Sequence, residues 1–191
     1  MILKKKRKNQ SIKIIYQGRI SQSHGFEEVI PFLIENTNII MTLIGPVNED
    51  YLEKLNILIQ ESNLKKQLTI LPSVSYEKLR KITLSHDIGW AVNIPNKLIY
   101  KTGGTASNKI YEYAACGLPI IYYDYEAYNK HLSCYEWARK TDLTRSSLSK
   151  IILELNDEYS YLSNQAYSDF INNFNYKTYF NEVHDKLIDH A

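Results

Sequence analysis

The chain has 191 residues, 44% of them hydrophobic and 23% charged, the balance of an ordinary globular protein. That composition excludes a disordered tail and a collagen-like rod, and two cysteines, Cys116 and Cys134, are too few for a disulfide-stapled miniprotein. A net charge of +2 sets up no field that demands a nucleic-acid partner, and none is expected.

The basic run Lys4-Lys5-Lys6-Arg7-Lys8 has no apolar signal-peptide core behind it. No apolar stretch reaches the roughly 18–20 residues that cross a bilayer. Residues 1–11 read as a solvated basic segment or linker that could also touch anionic lipid. The expected setting is the reducing cytoplasm, with any membrane contact peripheral and at the inner face.

Residues 12–17, Ile-Lys-Ile-Ile-Tyr-Gln, predict a buried strand that Gly18 ends. From His24 to Asn36 the spacing of Phe26, Val29, Ile30 and Leu33 predicts a helix. Ile39–Ile44 is a second apolar strand closed by Gly45-Pro46, and Asn48 can cap the helix that follows. Leu68–Leu71 is a short third strand, and Ser75 can cap a helix holding Leu79 and Ile82. Ile88–Val92 is a fourth strand, and a long polar loop runs from it to Thr105. A helix is expected from Thr105 to Cys116, with Gly117 as its left-handed C-terminal residue. Leu118–Tyr123 is a fifth strand that tolerates Pro119 at its start.

Strands apolar on both faces and alternating with helices form a parallel sheet covered by helices. The expected fold class is therefore α/β, a Rossmann-like open parallel sheet. From Thr144 onward the pattern is helical, broken at Asn172–Asn175, with a last helix carrying Tyr179, Phe180, Val183 and Leu187. The chain thus divides into residues 1–11, a sheet domain at 12–143, and C-terminal helices at 144–191 that pack on that domain.

Ligands of such sheets sit beyond the carboxyl ends of the strands. The loops there are Gly18–Ser23, Gly45–Asn48, Pro72–Val74 and Asn93–Thr105. None is a G-x-G-x-x-G dinucleotide fingerprint or a Walker A loop, which disfavours nicotinamide oxidoreduction and P-loop hydrolysis. The first loop does offer Arg19, whose guanidinium fork matches phosphate oxygens, and His24 shortly after it. Gly103-Gly104-Thr105 opens the fourth helix, where free N–H groups and the helix dipole favour a phosphate. Two such features at one sheet edge point to a diphosphate. Glu112, two turns into that helix, can accept from paired hydroxyls such as a ribose presents. Taken singly, each has a plainer reading: a surface Arg, a helix-terminal His, a solvated Glu.

The stretches Ile15-Tyr16-Gln17-Gly18-Arg19-Ile20, Thr42-Leu43-Ile44-Gly45, Leu71–Val74 and Asn108–Ile121 stand in a telling order. Together they resemble the C-terminal, donor-binding domain of GT-B glycosyltransferases of the group 1, GT4-like kind. The resemblance covers residues 12–123 and implies one half of a GT-B fold. It implies a retaining, metal-independent enzyme that uses a nucleotide-sugar, in bacterial polysaccharide or glycoconjugate synthesis. Arg19 would bind the donor diphosphate, Glu112 the ribose, and Pro72, Ser73 and Val74 would lie near the base. No cofactor beyond the donor substrate is expected, because Arg, Lys and a helix dipole can meet the leaving charge.

Two positions depart from the family pattern. His24 stands where the family carries a Lys, and Gly104 replaces the first Glu of its E-x7-E motif. Ser107-Asn108-Lys109 instead resembles a subgroup with S-N-K before the remaining Glu. Lys109 is therefore expected to supply the charge that His24 gives only in part. The diphosphate set becomes Arg19, His24, Gly104, Thr105 and Lys109, with Arg19 and Lys109 as the catalytic pair.

The acceptor-binding domain of such enzymes normally precedes the donor domain, and the stretch before Ile12 is too short to be one. A cut-out domain, a natural truncation or one subunit of a split enzyme is expected, binding donor without efficient transfer. The alternative is a non-catalytic interaction module that kept the fold and lost donor chemistry. Cys116 and Cys134 read as packing residues, and Trp90 and Trp137 as core. His86, His131, His184 and His190 lack zinc spacing, and Asp124-x-Glu126 reads as a turn and helix cap, so no metal site is expected.

Overall fold

Six parallel strands lie side by side in the order β3-β2-β1-β4-β5-β6. They are β1 (Ile12–Gln17), β2 (Ile39–Ile44), β3 (Leu68–Leu71), β4 (Ile88–Trp90), β5 (Ile120–Tyr123) and β6 (Ala138–Thr141). This is a computed structural model, and it describes residues 11–96, 98, 101, 107–174 and 180. Seven α-helices connect or follow the strands among those residues: α1 (Phe26–Glu35), α2 (Glu49–Glu61), α3 (Tyr76–Thr83), α4 (Asn108–Ala115), α5 (Glu126–Leu132), α6 (Arg145–Asp157) and α7 (Tyr159–Asn173). None of the described helices is long and apolar enough to cross a membrane.

The Rossmann-like parallel sheet expected from the element order is the observed one. In β1 and β2 nearly every side chain is buried, as a strand covered on both faces requires. They pair in register from Ile12 opposite Ile39 to Gln17 opposite Ile44. Asn48 caps α2 by accepting from the N–H of Tyr51, and Gly117 ends α4 at φ 66°. Ser75 stands at the N-cap of α3 but makes no side-chain cap bond there.

The first helix begins later than its spacing suggests. Gln22–His24 form a 3-10 turn, Gly25 takes a left-handed conformation at φ 69°, and α1 starts at Phe26. The sixth strand, β6, adds to the five that the sequence predicts. Arg139 and Lys140 interrupt any apolar run, and the segment is a strand because it pairs with β5 from Ile120 opposite Ala138 onward.

Beyond the sheet, α6 packs on α1 and β6, and α7 packs along α4. Trp137, fully buried, donates its indole N–H to Asp169 of α7 at 2.7 Å. Phe174, just past α7, meets Tyr111, Tyr135 and Trp137 edge to face. Trp90 is core as expected, and Cys116 is buried. Cys134 is exposed, so its reading as a packing residue is corrected: it follows α5 on the outside. The expected last helix falls at 175–191, outside the described residues except for Phe180.

Candidate functional site

The strand order turns between β1 and β4, since β2 and β3 extend to one side and β5 and β6 to the other. Such a switch point leaves a crevice at the carboxyl ends of the two strands. β1 and β4 pair only at Ile14 with Ile88 and Ile15 with Gly89. Beyond that, the Tyr113 hydroxyl accepts from the Gln17 N–H at 3.0 Å and donates to the Ile15 carbonyl at 3.1 Å. Burial raises the pKa of that hydroxyl, so it keeps its proton.

At the mouth, β1 and β2 end in glycines that touch. A β-carbon on Gly45 would lie 2.0 Å from the Gly18 carbonyl oxygen, and both residues take positive φ, 131° and 146° for Gly18 and Gly45. Only glycine permits this approach. It sets Arg19 on the exposed rim of the crevice, with its carbonyl accepting from the Tyr16 hydroxyl at 2.6 Å.

Lys109 reaches the same place from α4. Its ammonium lies 4.4 Å from the centre of the Tyr16 ring and 3.4 Å from the Tyr16 hydroxyl. Its Cε would be 3.8 Å from a β-carbon on Gly18. Burial lowers its pKa to about 8, since desolvation disfavours the ammonium. It stays mostly charged at neutral pH and gains from any anion placed beside it.

His24 does not share that work as expected. It is 3% exposed, its Nδ1 lies 3.1 Å from the Val92 carbonyl, and its ring clusters with those of Tyr16 and Phe26, which also touch each other. Burial first, and the Lys109 charge second, lower its pKa to about 3. The imidazole is neutral, so the positive charge expected of it is absent. A lysine and an imidazolium this close would repel, and the half-buried lysine keeps the proton.

One turn further along α4, Glu112 shares a helix face with Lys109. Its Oε2 accepts from the side-chain amide of Gln17. It lines a cavity of about 320 Å³ between α3, α4 and α7, together with Asn108, Tyr111 and Arg80. Arg19 lines a different depression of about 480 Å³, over the ends of β1 and β2. Among the described residues, Arg19 and Glu112 line separate hollows, and Gly18 links Gln17 of the first to Arg19 of the second along the chain. Pro72 and Ser73 are exposed and Val74 packs on the core; none of the three lines either cavity, although α3, which they lead into, does. Gly104 and Thr105 lie outside the described residues.

The sequence pattern of the family described as "Glycosyl transferases group 1" matches residues 2–168. The chain belongs to the group 1 glycosyltransferases. No curated protein matches the sequence of this group 1 glycosyltransferase. Solved structures do match its fold. HepE from Anabaena, solved with UDP and glucose, gives a TM-score of 0.73 at 14% identity, over 94% of this chain and 49% of that one. Sucrose-phosphate synthase from Thermosynechococcus elongatus gives 0.70 at 16%, over 95% and 46%. The C-terminal domain of a group 1 family glycosyl transferase (LpcC) from Francisella tularensis gives 0.63 at 16%, over 85% of each chain. This glycosyltransferase chain therefore spans about half the length of the first two and has the Rossmann-like architecture of one half of a GT-B fold.

Sequence reasoning missed three residues of this crevice: Tyr16 beneath Lys109, Gln17 beside Glu112, and Tyr113 bridging β1 and β4. Gln17 left a signal. It is an amide closing the apolar run Ile14-Ile15-Tyr16 of β1, and a buried amide needs partners.

Proposed function

We propose that this chain is the donor-binding half of a retaining, metal-independent glycosyltransferase whose substrate is a nucleoside-diphosphate sugar. The observation that carries the reading is the pairing of Lys109 and Glu112 on one face of α4, at the switch point and beside Gly18-Arg19. A cation pair around the glycine suits a diphosphate, and a carboxylate one turn away suits the ribose attached to it. Arg19 and Lys109 would act catalytically by meeting the charge that grows on the leaving diphosphate. Gly104 and Thr105 would add backbone N–H groups ahead of α4, and Pro72–Val74 would approach the base. His24 would serve as a neutral donor and packing residue.

The acceptor half would come from another part of the protein or a partner subunit. The enzyme would work in the cytoplasm, with residues 1–11 free to touch the inner membrane face, on bacterial polysaccharide or a related glycoconjugate. Anabaena HepE, of similar fold, is solved with UDP-glucose, which makes UDP a sensible first probe.

Titration with UDP, GDP, ADP and their sugar conjugates, followed by calorimetry and melting, tests the reading. A ligand at about 100 times its Kd should add about 2.7 kcal/mol of stability. Glu112→Ala should remove the response. A second reading, a non-catalytic module on the same fold, draws on the neutral His24. No shift with any of these ligands at millimolar concentration would favour it and overturn the first.

A further inference from the structure

We infer that Gln17 is the positioning residue for Glu112, holding its carboxylate in the orientation that meets two ribose hydroxyls; this rests on the donor-binding reading above. Gln17 is 5% exposed at the end of β1, where an apolar side chain would satisfy the strand. Burying an amide instead costs conformational entropy and desolvation, which its partners must offset.

Those partners are specific. The Oε1 of Gln17 lies 2.9 Å from the Thr83 hydroxyl, and its Nε2 donates to Glu112 Oε2. The amide cannot turn over, because that would set its carbonyl oxygen against a carboxylate oxygen. Its backbone N–H is held by Tyr113, the residue next to Glu112 on α4. β1 is thus tied to α4 at two successive helix residues, and one of those ties fixes the Glu112 rotamer. Thr83, at the end of α3, is the outer anchor of the chain Thr83–Gln17–Glu112, its single hydroxyl proton shared between Gln17 Oε1 and the Leu79 carbonyl, each 2.9 Å away.

A carboxylate without this anchor would sample several rotamers and lose that freedom on binding. Ordering one long side chain changes affinity by about two- to tenfold. The quantity to read is the ratio of Kd for the 2′,3′-dideoxy nucleoside diphosphate to Kd for the normal one. UDP, GDP and ADP are titrated into the 191-residue chain, and the tightest is taken with its dideoxy form.

The ratio should exceed about tenfold in the wild type and fall to about one in Glu112→Ala, since bonds to a charged group are at stake. Gln17→Met, which keeps the volume, should lower it by about fivefold while leaving Kd for the dideoxy form within about twofold. Thr83→Val should lower it by less, and Thr83→Ser should restore it. A purely structural Gln17 would weaken both ligands alike, and an unchanged ratio in Gln17→Met overturns the inference. Should Gln17→Met fail to fold, an unchanged ratio in Thr83→Val overturns it instead. A wild-type ratio of one overturns it while nucleotide binding stands. No wild-type binding of any nucleotide removes the donor-binding reading itself.

Discussion

The ring of Tyr113 fills the space that a side chain at Gly89 would need: a β-carbon there would lie 2.4 Å from Tyr113 Cδ2. This contact lets α4 sink against β4, and it delivers the Tyr113 hydroxyl to the gap where β1 and β4 part. The crevice and the packing of its floor are therefore one piece of geometry.

Gly89→Ala should destabilise the chain by about 1–3 kcal/mol, because a fully buried ring has nowhere to move. Urea unfolding measures it. Tyr113→Phe keeps the ring and leaves the Gln17 N–H without its acceptor, so about 1–3 kcal/mol should be lost there as well. A Gly89→Ala variant as stable as wild type would show that α4 is not seated this closely.

Gly45→Ala should harm the crevice more than the sheet. The new β-carbon would collide with the Gly18 carbonyl, and φ 146° is unfavourable for alanine. The loop carrying Arg19 must shift, so nucleotide affinity should fall by more than the loss of stability explains. Comparing calorimetric Kd with the unfolding midpoint separates the two effects.

Nucleotide affinity should fall as pH rises through about 8, the pKa of Lys109, because the neutral amine no longer attracts a diphosphate. Stability should move the other way. Between about 8 and the ordinary lysine value of 10.5, the unfolded chain holds a proton on Lys109 that the folded chain lacks. Stability therefore rises with pH in that window. Lys109→Met should flatten the affinity profile and weaken binding at pH 7 by about tenfold or more, as should Arg19→Ala. Unchanged affinity in Lys109→Met alongside abolished binding in Arg19→Ala would remove Lys109 from the site.

His24 predicts a second pH window. Its folded pKa of about 3 lies below the ordinary 6.5, so the unfolded chain binds the extra proton between those values. Stability should rise as pH climbs from 3 to 6.5 and level off above that. Measuring the unfolding midpoint across this range in wild type and His24→Gln would isolate the His24 share of the slope.

Much of this was legible beforehand, for a local reason. Strands β1, β2 and β3 are short apolar runs bounded by glycine, proline or polar turns, and Asn48 and Gly117 are end signals within one turn of the helices they punctuate. Arg19 and Glu112 stood out because their motifs are contiguous. β6 did not, since two of its four residues are charged and only pairing with β5 makes it a strand. Nor did the burial of His24, which depends on Val92, 68 residues away.

Fold class, the strands from β1 to β5, the family resemblance and the residue types of the proposed anion site could all be read along the chain. Periodicity, turn residues and motif spacing are properties of neighbours along the chain. It took the folded arrangement to show that Lys109 carries the charge while His24 is neutral, and that Gln17 grips Glu112 across 95 residues of sequence. Desolvation and hydrogen-bond partnership are set by what surrounds a group in space, and that surrounding exists only once distant segments have packed together.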